Sequence, residues 1–168
     1  QISPELLDFL VKTSILDRLS APLCEAVTGA DNCHSLLEEV IQKHLFLEAL
    51  DDQDEWYRYH QLFSKALQIQ LRRRPKEEIT ALHNRASEWF AHNRLWPEAI
   101  KHSLSANDLE STLKSLEEGI YTLISEGEVK ALTEWLMCLP QLSDAQQVRV
   151  QLSSIWALSH NFRFNEAD

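Results

Sequence analysis

Apolar positions recur at helical spacing along most of this chain. Ser3-Pro4-Glu5 pairs a capping hydroxyl with proline at the first helical position, and Leu6, Leu7, Leu10 and Val11 form one stripe, which predicts a helix over about 4–13. Ser20-Ala21-Pro22 opens a short second helix that Gly29 can end. Asp31 or Asn32 then caps a third, carrying Leu36, Leu37, Val40 and Ile41. At that point the period changes. Residues 45–50 and 55–59 are β-prone runs on either side of Asp51-Asp52-Gln53-Asp54, a hairpin with an acidic four-residue turn. A helix over about 60–73 follows, with Leu62, Phe63, Ala66, Leu67 and Leu71 expected inward. Three helices, a hairpin and a helix make a winged-helix arrangement.

Three consecutive cations, Arg72-Arg73-Arg74, end that segment, and Pro75 opens a new helix at Pro-Lys-Glu-Glu. The chain is therefore read as two parts, a winged-helix-like module over 1–75 and helical repeats over 76–168. The repeat emerges from counting. His92-Asn93 recurs as His160-Asn161 and Glu98-Ala99 as Glu166-Ala167, each 68 residues on, which is twice 34. Midway stand Glu126-Gly127, with Val129 where the first unit has Leu95. A period of about 34 residues with helix, turn and helix is the tetratricopeptide spacing. The expected fold class is mainly α: a winged-helix-like module with one β-hairpin, then a tetratricopeptide-like α-α superhelix that is incomplete at its C-terminus. An open stack of this kind exposes apolar residues such as Ile155, Trp156 and Phe164, so self-association through that end is expected.

Composition narrows the function classes. Only 3 Gly and 5 Pro among 168 residues suit a helical protein with short loops. The sequence has no long apolar run and no signal-peptide pattern, which leads to an expectation of a cytoplasmic protein without membrane partners. Cys24, Cys33 and Cys138 match no zinc spacing and read as reduced core thiols. The formal net charge of −10, with Glu38 and Glu39 on the third helix and carboxylates on the wing, opposes nucleic-acid binding by this segment. The seven histidines form no His-Glu-x-x-His, and no nucleophile motif surrounds a Ser or Cys, so no catalytic residue and no metal ligand is assigned and the segment is read as non-enzymatic. Trp89, Trp96, Trp135 and Trp156 suit packing between hairpins. Trp96, beside Pro97 and with Lys130 at the equivalent place one repeat on, is expected to be half exposed and to wall a ligand or partner groove.

Thr13-Ser14-Ile15-Leu16-Asp17-Arg18-Leu19-Ser20, Leu45-Phe46-Leu47, Trp56-Tyr57-Arg58-Tyr59-His60 and Leu62-Phe63, continued by Ala81-Leu82-His83, Trp89-Phe90 and Glu98-Ala99-Ile100, resemble the MalT-like, ATP-dependent members of the LuxR-type bacterial transcriptional regulators. The resemblance implies a central slice of a larger regulator, with an upstream P-loop ATPase module holding ATP or ADP, downstream repeats, and a terminal DNA-binding module. The chain itself has no Gly-rich Lys-Ser/Thr loop, so no cofactor is assigned to this segment. Partners implied are the upstream ATPase module, the downstream repeats, and a small-molecule inducer or regulatory protein. By similarity to the Met-His-Asp triplet of regulatory P-loop ATPases, His60 is a candidate nucleotide-phosphate sensor; Tyr59 and Gln61 depart from that triplet. The alternative is that His60 caps its own helix or packs under the wing. Two functions stand side by side: a signal-sensing and coupling segment of a transcriptional activator, or a helical-repeat interaction scaffold without a ligand switch.

Overall fold

A computed structural model describes residues 2–52 and 55–139. The chain forms two compact units, Gln1–Ala86 and Ser87–Asp168. In the first unit, helices α1 (Pro4–Thr13), α2 (Ala21–Thr28) and α3 (Cys33–Gln42) precede strands β1 (Leu47–Ala49) and β2 (Tyr57–Tyr59) and helix α4 (Gln61–Leu71). The Ser3 hydroxyl accepts from the Leu6 N–H at 3.1 Å, and the Ser20 hydroxyl does the same for Leu23 at 3.4 Å, so both caps act where the sequence puts them. Gly29 ends α2 in the left-handed region, at φ 74. Asn32 occupies the N-cap of α3 without a capping bond; its amide donates to Glu5 instead, at 2.8 Å.

α1 packs on α2, α3 and α4, burying Leu6, Phe9 and Leu10 with Leu23, Val27, Leu37, Val40, Leu67 and Leu71. The antiparallel hairpin pairs Leu47 with Tyr59, Glu48 with Arg58 and Ala49 with Tyr57. The Asp51 carboxylate closes its turn, accepting from the N–H groups of Glu55 and Trp56. Leu19 exchanges two backbone bonds with Tyr57, which adds a one-residue third strand that no periodicity announces.

α4 corrects one expectation. Leu67 and Leu71 are buried, but Leu62 is 71% exposed and Ala66 also faces solvent. Five residues separate Leu62 from Leu67, well over a full helical turn, so the two cannot share a face. The rotation of α4 is fixed by Gln68, whose amide donates to the Ser14 carbonyl at 3.0 Å.

Helix α5 (Lys76–His92) begins where the Arg-rich stretch and Pro75 end α4. The boundary between compact units lies deeper, between Ala86 and Ser87, inside α5. Arg74 bonds to both Asp8 and Glu78, tying the start of α5 to α1, and Arg85 approaches Gly29. The first turns of α5 therefore belong with the winged helix.

The second unit continues with α6 (Trp96–Ala106), α7 (Leu109–Ser125) and α8 (Val129–Cys138). The Ser87 hydroxyl donates to the Ala99 carbonyl at 2.8 Å, and Phe90 stacks on His102, so the last turns of α5 pack on α6. Two helical hairpins result. Their turns are marked by left-handed residues, Arg94 at φ 58 and Gly127 at φ 82. The interval between Arg94 and Gly127, and between the helix starts Trp96 and Val129, is 33 residues rather than 34. The turn expected near 160–163 lies outside the described residues, as do Ile155, Trp156 and Phe164.

Candidate functional site

In the first unit a cleft of about 530 Å³ opens between the wing and α4, lined by Leu16, Asp17, Glu48, Arg58, Tyr59, His60, Gln61, Ser64, Lys65 and Gln68. Its floor is Tyr59. The phenol is buried and shares a hydrogen bond of 2.8 Å with the Thr13 hydroxyl, which in turn donates to the Phe9 carbonyl. Burial pushes the Tyr59 phenol far above its ordinary range, outweighing the bond to Thr13. Tyr59 thus anchors the wing to α1, and the pleat turns its neighbour Arg58 outward, where it pairs with Glu48 across the hairpin at 3.0 Å.

His60 follows directly and is the N-cap residue of α4. Its backbone N–H donates to the Phe46 carbonyl at 2.7 Å, and its own carbonyl accepts from Ser64. The imidazole makes no capping bond and is exposed at the cleft. Gln61, Leu62 and Phe63 are in the first turn of the helix, where N–H groups lack intrahelical acceptors and the dipole end is positive. Lys65 and Arg58 add cations, Asp17 and Glu48 carboxylates. A small anion at the helix start would meet imidazole, backbone N–H and the Ser64 hydroxyl together. A neutral or cationic ligand would meet the two carboxylates.

Beside the cleft, the Arg18 guanidinium lies over the Trp56 ring, 4.6 Å from its centroid. On the other side of α1, partial burial raises the Asp8 carboxyl, but Lys12 and Arg74 outweigh that and hold it below its ordinary value. The Lys12–Asp8 pair is an i,i+4 spacing on α1, whereas Arg18 on Trp56 and Arg74 on Asp8 join residues far apart in sequence and could not be read from spacing.

Trp96 is placed differently from expectation. It is 7% exposed and packs with Ile100, Leu116, Ile120, Leu123, Ile124 and Leu132 in the core of the second unit. Its indole lies on Gly119 so closely that a Cβ there would come within 2.4 Å of it. The one-residue difference in register explains the error: in the structure Trp96 corresponds to Val129, an apolar position, and not to Lys130. The site residue assigned to a groove is a core residue.

The acidic surface is where the sequence places it. On α3, Glu38 pairs with His34 and Glu39 with Lys43, while Asp52 and Glu55 are exposed at the wing. Among the described residues no three His, Cys, Asp or Glu side chains form a metal-binding group, and no helix is long and apolar enough to cross a membrane.

Residues 1–79 match the family model of the MalT winged helix domain. Over 156 residues, 93% of this chain, the sequence is 33% identical to the proteins named serine/threonine-protein kinase PknK of Mycobacterium tuberculosis, strain H37Rv, and of Mycobacterium bovis. The chain spans 14% of the length of those relatives. The first unit is thus a winged helix similar to that of MalT-like regulators, and nearly the whole chain is similar to a stretch of a much larger kinase.

Proposed function

We propose that this chain is a sensing and coupling segment of an ATP-dependent regulator: the winged helix reads the nucleotide state of a neighbouring ATPase module, and the helical hairpins carry that state to an inducer or partner protein. The observation that carries the reading is the cleft at the start of α4, where His60 presents a free-standing imidazole beside unpaired helix N–H groups. A histidine there can donate to a phosphate oxygen, so ADP held by the ATPase module would draw the wing and α4 against it.

The similarities support a transmission role over an output role. The same kind of segment occurs under two different descriptions, a MalT winged helix domain and a protein named as a kinase. The chain's three glycines, Gly29, Gly119 and Gly127, cannot form a Gly-rich phosphate loop, so neither ATP hydrolysis nor phosphoryl transfer is ascribed to it. Direct reading of DNA is opposed by Glu38, Glu39 and the acidic wing.

Hydrogen exchange on the intact protein tests this. ADP should slow exchange at residues 61–64 and in β2, and inducer with ATP should release that protection. Protection confined to other parts of the protein, with residues 57–64 indifferent to nucleotide, would remove the basis for the reading.

A further inference from the structure

α4 presents to solvent a face that the winged helix does not use. Leu62 is 71% exposed and Ile69 55%, with exposed Ala66 between them, and these positions share one side of a helix. Phe46 extends the face at the N-terminal end of α4. It is 62% exposed, its carbonyl accepts from His60, and its ring packs on Phe63 with centroids 5.5 Å apart. Phe46 also sits at φ 52, in the left-handed region, where a bulky side chain is sterically disfavoured. Single exposed apolar residues are common on any surface, but a stripe along one helix face, with an exposed ring on a strained backbone at the start of the same helix, needs a reason.

Charge indicates what covers it. The ionisable side chains between 61 and 74 are Lys65, Arg72, Arg73 and Arg74, with no carboxylate among them, in a chain of net charge −10. Arg74 is engaged by Asp8 and Glu78, whereas among the described residues Lys65 and Arg72 have no ion pair. On α4, Lys65 lies along one margin of the face that carries Leu62 and Ile69, and the exposed Arg72 and Arg73 follow just past its C-terminal end at Leu71.

We propose that this face docks an amphipathic helix of a partner protein, whose aliphatic stripe covers Leu62, Ala66, Ile69 and Phe46 and whose flanking Asp or Glu side chains meet Lys65, Arg72 and Arg73. A nucleic acid would leave the apolar centre unmatched. An anionic membrane would repel the rest of so acidic a chain. The inference does not depend on His60 or on nucleotide.

The test titrates the intact protein with two labelled helical peptides of equal length. Both carry the same leucine stripe, one flanked by glutamate and the other by lysine; phosphatidylserine-containing vesicles form a third arm. The glutamate peptide should bind at least about tenfold more tightly than the lysine peptide, with an affinity that falls as salt rises. Leu62→Ser with Ile69→Ser should weaken it by about tenfold or more, since the hydrophobic contact is lost. Lys65→Glu, Arg72→Glu and Arg73→Glu together should reverse the preference toward the lysine peptide. All five positions are exposed, and an unchanged circular dichroism spectrum and melting temperature will establish that each variant is folded. Equal binding of the two peptides, no binding of the glutamate peptide, indifference to the serine pair, or binding to vesicles without binding to the peptide would each overturn the proposal.

Discussion

Gly119→Ala should destabilise the second unit, although glycine to alanine inside a helix ordinarily stabilises by about 1 kcal/mol. Gly119 lies in the interior of α7, where alanine is the better helix former. The obstacle is Trp96. A Cβ at 119 would stand 2.4 Å from Cγ of Trp96, 2.7 Å from Cδ2 and 2.8 Å from Cβ. Carbon atoms prefer about 3.5–4.0 Å, so the indole must retreat by roughly 1 Å. Because the blocked atoms include the tryptophan Cβ, changing rotamer cannot clear them, and the retreat must involve the α6 backbone against a packed core. Overpacking of this kind costs about 1–3 kcal/mol, and the upper end applies where a ring and its Cβ are both obstructed. Subtracting the gain in helix propensity leaves a net loss of about 2 kcal/mol. Urea unfolding of the 168-residue chain, followed by far-ultraviolet circular dichroism, should show a lower midpoint for the affected transition at unchanged slope. The double-mutant cycle isolates the cause. In a Trp96→Ala background, which removes Cγ and Cδ2 and leaves only the approach to Cβ, the same alanine should cost clearly less than in the parent, giving a coupling of about 1–3 kcal/mol between the two sites. A Gly119→Ala chain more stable than the parent would refute the packing argument.

Three further outcomes follow from the geometry. Gly127→Ala should cost about 1 kcal/mol because its φ of 82 is left-handed, whereas Arg94→Gly at φ 58 should be neutral or stabilising; both are read from urea midpoints. Burial raises the Tyr59 phenol above its usual 10.0 and the Cys24 thiol above its usual 9.0. Folding stability from these groups is therefore complete below those values and declines as pH rises past about 9, by up to about 1.4 kcal/mol per pH unit for each group in the unfolded chain that has ionised. Tyr59→Phe should lower stability at neutral pH by about 1 kcal/mol and abolish the part of the alkaline decline that begins near 10.0, which a pH series of urea midpoints measures. Mixing this segment with random duplex DNA at physiological salt should give no submicromolar complex in a fluorescence-anisotropy titration, and a salt-dependent one would reveal a basic surface outweighing Glu38, Glu39 and the wing.

Local signals carried the winged helix. Caps at Ser3 and Ser20, prolines at helix starts and Gly29 at a helix end are each decided within a few residues, so the boundaries they mark can be read directly. The rotation of α4 could not be read that way, because it is set by Gln68 reaching Ser14, a contact that pattern alone does not encode. The turns of the hairpins were legible, yet their register was one residue off. A period found by matching His92-Asn93 to its later copy averages over two repeats, and the first interval is shorter than that average. That single residue moved Trp96 from the core to a supposed groove. His60 was legible as a residue at a helix start, but its exposure and the cleft around it depend on Arg58, Glu48 and Asp17 arriving from separate elements.

The central claim, that the winged helix reads nucleotide state through His60, is tested most directly by ADP retention in the intact protein with His60→Ala. If His60 contacts a phosphate only in the inactive state, the variant should release ADP faster and reach half-activation with less inducer, because losing that contact shifts the population toward the active state. The substitution lies on an exposed side chain, so folding should be unaffected. ADP dissociation at the parental rate, together with an unchanged inducer requirement, would contradict the account and leave His60 as a helix-start residue with no part in signalling.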